Sequence, residues 1–287
     1  MPTFMHEGIA FNYYDTGCDY TGLPFVFQHG LGGDIHQPTG IYTPGEGVRL
    51  VSLDCRAHGA SRPLGEVAKL SISGFTDDLV ALLDYLGIQQ AVVGGISMGA
   101  AVALNCAVRY PDHVSALVLS RPAWFDQPGP PNLAVYDLIA RLIRESGPED
   151  GLKAFMQTNA YRNVLAASGD AANSLVGQFL HPRAVETVAK LERIPHDSPV
   201  NSISEIRAIR VPALVMSTRM DPIHPYAFGV ALAEAIPGAI FKELTPKSVS
   251  KERHAVDAHT AIDAFLREGL ARPTPAQNHR DKPYRPA

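Results

Sequence analysis

From Ala91 to Val108 the chain carries no charged residue, which by length alone resembles a membrane span, but Gly94, Gly95, Ser97, Gly99 and Asn105 interrupt it. The stretch divides into two periodicities instead. Ala91-Val-Val-Gly94 is a short apolar run of the kind a strand shows when both its faces are covered, and Met98 to Arg109 reads as the helix leaving it. The junction is Gly95-Ile96-Ser97-Met98-Gly99. A serine on a tight strand-to-helix turn is forced into an uncommon backbone conformation, and glycines two residues to either side remove the side chains that would collide there. Its hydroxyl then projects at a helix N-terminus, where free N–H groups face developing negative charge. A plain βα turn would account for the five residues alone; the strand–turn–helix setting favours a nucleophile.

The same alternation runs along most of the chain. Thr3–His6 and Gly8–Gly17 read as a hairpin, Pro24–Gln28, Val48–Asp54 and Ser115–Ser120 as strands, and Phe75–Leu86 as a helix. Strands alternating with helices imply right-handed crossovers and a mostly parallel sheet. The pattern lapses between about Trp124 and Glu205, where Leu133–Ile143, Gly151–Leu165, Ala171–Leu180 and Arg183–Ile194 all favour helix. It resumes with Val211–Met216 and Ala239–Leu244 as strands and Tyr226–Ile236 and His254–Leu270 as helices. The expected organisation is a core over 1–123 and 206–270, a helical cap over 124–205 inserted after the sixth strand, and a proline-rich, disordered tail over 271–287.

Two further segments fit the chemistry that a serine nucleophile needs. His29-Gly30-Leu31-Gly32-Gly33 follows an apolar strand, and glycines there let backbone amides approach a ligand. A dinucleotide loop is disfavoured because Ile35 stands where the last glycine belongs, and no Lys-Ser/Thr pair completes a phosphate loop. An oxyanion-binding loop fits better, with the N–H of Leu31 joining that of Met98. Asp221 lies in a turn after the Val211–Met216 strand, and His254 comes after Ala239–Leu244. The order Ser97, Asp221, His254 is the one expected of such a sheet, whose strand ends face the crevice where ligands bind.

These residues resemble the α/β-hydrolase superfamily from Gly8 to about Leu266, and Asp54-Cys-Arg-Ala-His-Gly-Ala-Ser61 looks like its D-x-R-G-H-G-x-S stretch, with Ala57 in place of a glycine. The resemblance implies Ser97 as nucleophile, His254 as general base, Asp221 as its orienting acid, and the Leu31 and Met98 amides as oxyanion donors. Rivals are Asp126 for the acid and His259 for the base. His29 is expected to brace the oxyanion loop and His58 to be structural, while His36, Trp124, Phe125 and His224 are candidates for the substrate pocket.

Composition narrows the function further. With 25 Lys and Arg against 29 Asp and Glu, and no basic run, neither nucleic acid nor an anionic membrane has an electrostatic basis as partner. Cys18, Cys55 and Cys106 are scattered, with no C-x-x-C and no H-E-x-x-H anywhere, so neither a disulfide framework, a zinc site nor another cofactor is expected. No signal peptide is apparent, and a cytoplasmic protein acting on a small molecule is expected, its oligomeric state open between monomer and homodimer. A serine rather than an aspartate at the turn points to carboxylester or lactone hydrolysis through an acyl-enzyme. The alternatives are C–C bond hydrolysis of a diketone, or a weakly catalytic ligand receptor on the same fold.

Overall fold

Apolar strands buried on both faces send alternate side chains into two different layers, and both layers are present here. A computed structural model of the chain describes residues 1–17 and 22–271. Its strands are β1 (Thr3–His6), β2 (Ile9–Asp15), β3 (Leu23–Gln28), β4 (Val48–Leu53), β5 (Ala91–Ile96), β6 (Val114–Ser120), β7 (Ala213–Thr218) and β8 (Ile240–Leu244). They form one eight-stranded sheet in the order β1-β2-β4-β3-β5-β6-β7-β8. β2 runs antiparallel to both its neighbours, and every pair from β4 to β8 is parallel. Val26, Val93, Leu117, Leu119 and Val215 pack on one face with α2 (Ile72–Tyr85) and α3 (Met98–Arg109). Phe25, Phe27, Val92, Val118 and Met216 pack on the other against Ala258, Ile262 and Phe265 of α10 (Lys251–Ala271).

The strand order fixes where a site can lie. From β3 the chain crosses to β4 on one side and then returns to β5 on the other, so the crossovers beside β3 leave in opposite directions. The crevice at such a switch point opens beyond the carboxyl ends of β3 and β5. Those ends carry His29-Gly30-Leu31 and Ser97 respectively.

Between β6 and β7 the chain is helical. α4 (Val135–Met156), α5 (Asn159–Ala167), α6 (Gly169–Leu180), α7 (Ala189–Arg193) and α8 (Ile203–Ala208) replace the four helices expected there. Gly147, at φ 73°, bends α4 beside Pro148, and Thr158 caps α5 by accepting the Tyr161 N–H at 3.1 Å, so the helix expected over 151–165 is divided between two elements. The helix expected over 183–194 shrinks to α7. Arg183 is anchored by its guanidinium, and the Thr187 hydroxyl donates to the Arg183 carbonyl at 2.8 Å, competing with the backbone for that acceptor. α1 (His36–Ile41), a single short helix after the His-Gly loop, was not anticipated, and α9 (Tyr226–Ala235) falls where expected. α10 starts at Lys251 rather than His254, because Ser250 Oγ accepts the Arg253 N–H at 3.1 Å. Beyond Ala271, the last residue of α10, the tail lies outside the described residues. The Ala91–Val108 stretch is β5, Ser97 and all but the last residue of α3, and among the described residues no helix is long and apolar enough to cross a membrane.

These inserted helices dock on the core through cations that meet backbone carbonyls. Arg183 Nη1 donates to the Gly59 and Ser61 carbonyls at 3.0 and 3.1 Å, and Lys190 Nζ donates to the Ala57 carbonyl at 3.1 Å. Their targets lie in the Asp54–Ser61 segment, which Asp54 shapes by accepting the N–H groups of Ile35 and Ala60 and the Asn12 amide. Burial pulls the Lys190 ammonium down to about 7 from an ordinary 10.5. An unfolded chain therefore holds a proton between about pH 7 and 10.5 that the folded chain lacks, and stability rises with pH through that window. Thermal melts at pH 7 and pH 9 should show a larger gain in Tm for the wild type than for Lys190→Met.

The turn from β5 into α3 is packed without spare room. A Cβ on Gly99 would overlap the Gln28 carbonyl and lie 2.8 Å from the His29 carbonyl oxygen, whereas Gly40 has open space around it. Gly99→Ala should cost roughly 1–3 kcal/mol as an overpacking substitution, and Gly40→Ala should leave the melting temperature almost unchanged.

Candidate active site

Ser97 stands between β5 and α3 with φ 56° and ψ −111°, in a region that L-residues rarely occupy. Three glycines make room for it. A Cβ on Gly95 would overlap the Gly99 backbone, one on Gly99 would overlap the end of β3, and one on Gly30 would sit 3.3 Å from Ser97 Cβ. The turn is tied to the next strand by the Ser97 N–H, donated to the Ser120 carbonyl at 3.0 Å. Ser97 is partly exposed while the residues on both sides of it are buried, and its hydroxyl has no hydrogen-bond partner among the described residues.

The His-Gly loop is held rigidly beside this turn. Gln37 accepts the Gly30 N–H at 2.6 Å, the Gly33 N–H closes a turn on the Gly30 carbonyl at 2.9 Å, and Gln178 of α6 reaches the Leu31 carbonyl. His29 is wholly buried. Its Nδ1 meets the Gly30 carbonyl at 2.9 Å and its Nε2 accepts the Cys55 N–H at 3.1 Å, a pattern that needs the neutral ring and that burial reinforces by lowering its pKa. Neither the Leu31 nor the Met98 N–H is donated to any partner among the described residues. Two free amides beside a bare hydroxyl can receive an oxygen on which negative charge develops.

Asp221 does not meet His254, the partner expected for it. Its Oδ2 lies 2.8 Å from His224 Nδ1 and 3.2 Å from Arg121 Nη1, while its Oδ1 accepts the N–H groups of Ile223 and His224 at 3.1 Å. Burial would raise the Asp221 carboxyl, but the His224 ring and the Arg121 guanidinium outweigh it and hold the group well below the usual carboxylate range. His254 lies in the first turn of α10, with Nδ1 against the Thr245 carbonyl at 2.8 Å. Its Nε2 is buried with no partner. Burial, and then the charge of Arg121, bring its pKa down to about 4. Lys247 shares this neighbourhood, lowered to about 8 by burial and by Arg121, and is paired with Asp170 at 3.8 Å.

The other sequence candidates disperse. His259 reaches the Thr43 carbonyl at 3.1 Å and lies against Tyr42, on the face of the sheet covered by α10. Asp126 makes no ion pair or hydrogen bond among the described residues. His36 is exposed at the start of α1, and Trp124 and Phe125 pack with the core that α3 and α4 share. His58 is buried, with Nδ1 at 2.8 Å from the Arg56 carbonyl. Arg121 was missed altogether. Its signal was a cation placed directly after an apolar strand, where the backbone turns sharply at φ 47°. Asn132 ties the start of the inserted helices to the acid turn, donating to the Ala123 and Ile223 carbonyls at 3.0 and 2.7 Å. A surface groove of about 470 Å³ along β8 and α10, lined by Ile240, Lys242 and Phe265 among others, touches none of these groups.

Known proteins share this arrangement of chain. A family model described as alpha/beta hydrolase fold matches residues 24–254. The 3-oxoadipate enol-lactonase 2 of Acinetobacter baylyi is 25% identical over 269 residues, covering 92% of this chain and 96% of its own length. The 2-hydroxymuconate semialdehyde hydrolase of Pseudomonas putida is 26% identical over 242 residues, covering 81% of each chain. Among solved structures, the enol-lactonase from Burkholderia xenovorans LB400 matches with a TM-score of 0.70 and 25% identity over 92% of this chain and 100% of that one.

The charge of Arg121 can be tested directly. Removing a cation near a histidine favours the protonated ring, so in Arg121→Met the His254 resonances should titrate at a higher pH than in the wild type. An NMR titration that left the His254 midpoint where it was would contradict this picture of the site.

Proposed function

The chain belongs to the alpha/beta hydrolase fold family, and from that premise we propose that it is a serine hydrolase of small or medium carboxylic esters or lactones. The observation that carries the reading is the backbone of Ser97, a non-glycine residue at φ 56° between two glycines, with an unpartnered and partly exposed hydroxyl. Such a conformation costs of order 1–3 kcal/mol, and it presents the oxygen at the end of β5. In the proposed reaction a histidine takes the Ser97 proton as Oγ attacks the substrate carbonyl carbon. The carbonyl oxygen takes up charge between the N–H groups of Leu31 and Met98. Asp221 supplies the fixed negative charge that supports an imidazolium. Two histidines stand at this end of the sheet, His224 and His254, the latter being the one that chain order suggested. Collapse expels the alcohol with the same proton, and water activated by the same ring then releases the acid.

The helices from α4 to α7 are read as a cap that limits substrate size. They follow β6 directly, and Gln178 brings α6 onto the Leu31 carbonyl. The lactone preference draws on the likeness to the two enol-lactonases. The likeness to a semialdehyde hydrolase supports a second reading, in which the bond cleaved is C–C and the same serine and amides serve a different leaving group.

Hydrolysis of p-nitrophenyl acetate should fall by at least about 10³-fold in Ser97→Ala, since nucleophile and base act as a unit. A fluorophosphonate should label the wild type once per chain, at Ser97. Wild-type protein that neither turned over an ester nor took up the label would remove the enzyme reading in favour of a ligand receptor.

A further inference from the structure

Two peptide planes meet at Leu31, and each is held from a different side. The first joins Gly30 to Leu31. Its carbonyl is pinned twice by the core, by the Gly33 N–H at 2.9 Å and by His29 Nδ1 at 2.9 Å. A trans peptide points its N–H opposite to its C=O, so these two donors turn the Leu31 amide away from themselves. The second plane joins Leu31 to Gly32, and there the core supplies no partner. Among the described residues the Leu31 carbonyl has one, Gln178 Nε2 of α6, at 3.5 Å. Rotation about the Leu31 backbone would move its amide relative to Met98 unless this second plane is fixed as well.

Gln178 is built into the loop that it reaches. The residue is buried, and its amide is seated on Gly32, whose φ of 82° favours glycine. A Cβ on Gly32 would overlap that amide, so the space left by the missing side chain is the space Gln178 fills. Its Nε2 also donates to the Ser174 carbonyl at 3.4 Å, one turn back on α6, which holds the side chain along its own helix. The contact with Leu31 is long for a hydrogen bond, and the seat on Gly32 keeps the amide facing the carbonyl.

α6 is fastened at both ends, to opposite sides of the crevice. Asp170 in its first turn pairs with Lys251 at 3.1 Å and with Lys247 at 3.8 Å, both beyond β8. Shortly after its last turn, Arg183 donates to the Gly59 and Ser61 carbonyls, beyond β4. In the sheet order β3 and β5 lie between β4 and β8. The helix therefore crosses above the strand ends that carry Leu31 and Ser97.

We propose that Gln178 is a positioning residue: from the inserted helices it fixes the Leu31–Gly32 peptide, and through it the aim of the Leu31 N–H at the substrate oxygen on which charge develops. That role rests on the reading of Ser97 as nucleophile. Gln178 acts through Leu31 and not on the substrate. A backbone donor stabilises the oxyanion only while it points at the place the charge will occupy, and a misplacement of about 1 Å can cost on the order of 10²-fold in rate. Met98 needs no such support, because it opens α3 where Gly99 is packed against the end of β3. The two amides thus differ in origin, one set by the core alone and the other by the core together with α6.

The test compares Gln178→Met, which keeps the length of the side chain and removes its donor, with Lys190→Met, which releases a contact of the same inserted helices that does not involve Leu31. Each is assayed for hydrolysis of p-nitrophenyl acetate and for inhibition by phenylboronic acid, which bonds to Ser97 Oγ and presents a tetrahedral oxygen to the two amides. Gln178→Met should lose about 10–10²-fold in kcat with KM little changed, the signature of an interaction made in the transition state. Phenylboronic acid should inhibit it more weakly by a similar factor, and Lys190→Met should stay close to wild type on both counts. An unchanged kcat and boronate affinity in Gln178→Met, a loss that appears in KM instead, or an equal loss in Lys190→Met would each overturn the proposal. Hydrogen–deuterium exchange on the wild type needs no substitution: phenylboronic acid should slow exchange in residues 30–33 and in α6 together. Protection of the loop with α6 unchanged would refute the coupling. Failure of the underlying serine reading would look different, since Ser97→Ala would then stay active and fluorophosphonate would not label the wild type.

Discussion

The contact on which the rest depends is the approach of the α3 N-terminus to the end of β3, where Gly99 lies against the carbonyls of Gln28 and His29 with no room for a Cβ. It brings together two chain segments that would otherwise be kept a side chain apart. One consequence is the conformation of Ser97, since a turn this tight from β5 into α3 leaves it at φ 56°. Another is that the Leu31 and Met98 amides, from different strand ends, come to the same crevice. Gly95, Gly99 and Gly30 therefore act as one device. Each removes a side chain from the same small volume, and the site is made from backbone approach before any functional side chain is considered.

The inserted helices depend on a different device. Arg183 and Lys190 are charged residues with side chains almost wholly buried, and both spend their donors on carbonyls of the Asp54–Ser61 segment. Burying such groups is costly unless their donors are satisfied. Arg183 is also paired with Glu186, which offsets its charge, while Lys190 has no carboxylate contact among the described residues and yields part of its proton affinity instead. The segment that receives them is itself built on Asp54, which accepts three donors. Its motif-like residues thus serve architecture: Asp54 shapes the loop, Arg56 makes a bidentate pair with Asp78, and Ser61 donates to the Asp54 carbonyl at 2.6 Å.

What was legible in the sequence was what local periodicity and turn chemistry determine. The eight strands, the α3 boundaries and the Gly95–Gly99 turn were all readable, because an uninterrupted apolar run followed by a glycine-flanked serine has few other solutions. Helix starts were misplaced where a cap rather than an apolar spacing sets them. Ser71 starts α2 by accepting the Gly74 N–H, and Ser250 starts α10. The helix expected over 183–194 failed because apolar spacing could not reveal that Arg183 would be anchored to another part of the chain. Pairing at the site was less legible still. Asp221 is separated from Arg121 by a hundred positions, and no periodicity encodes which cation or imidazole a carboxylate will meet.

That pairing decides the electrostatic character of the crevice. Asp221 accepts four contacts from three residues, Arg121, Ile223 and His224, and such a carboxylate resists protonation across the neutral range. A persistent negative charge there makes the neighbouring cations tolerable: Arg121 is nearly buried with its Nε unpartnered, and Lys247 is drawn below its ordinary range. His224 touches Asp221 directly, whereas His254, with no carboxylate in contact among the described residues, has Arg121 and Lys247 against its charge and Asp170 in its favour. Burial lowers the proton affinity of both rings at this end of the sheet, with Asp221 opposing the fall at His224 and Asp170 opposing it at His254. Which carboxylate acts on each ring follows from folded geometry, and chain order does not encode it.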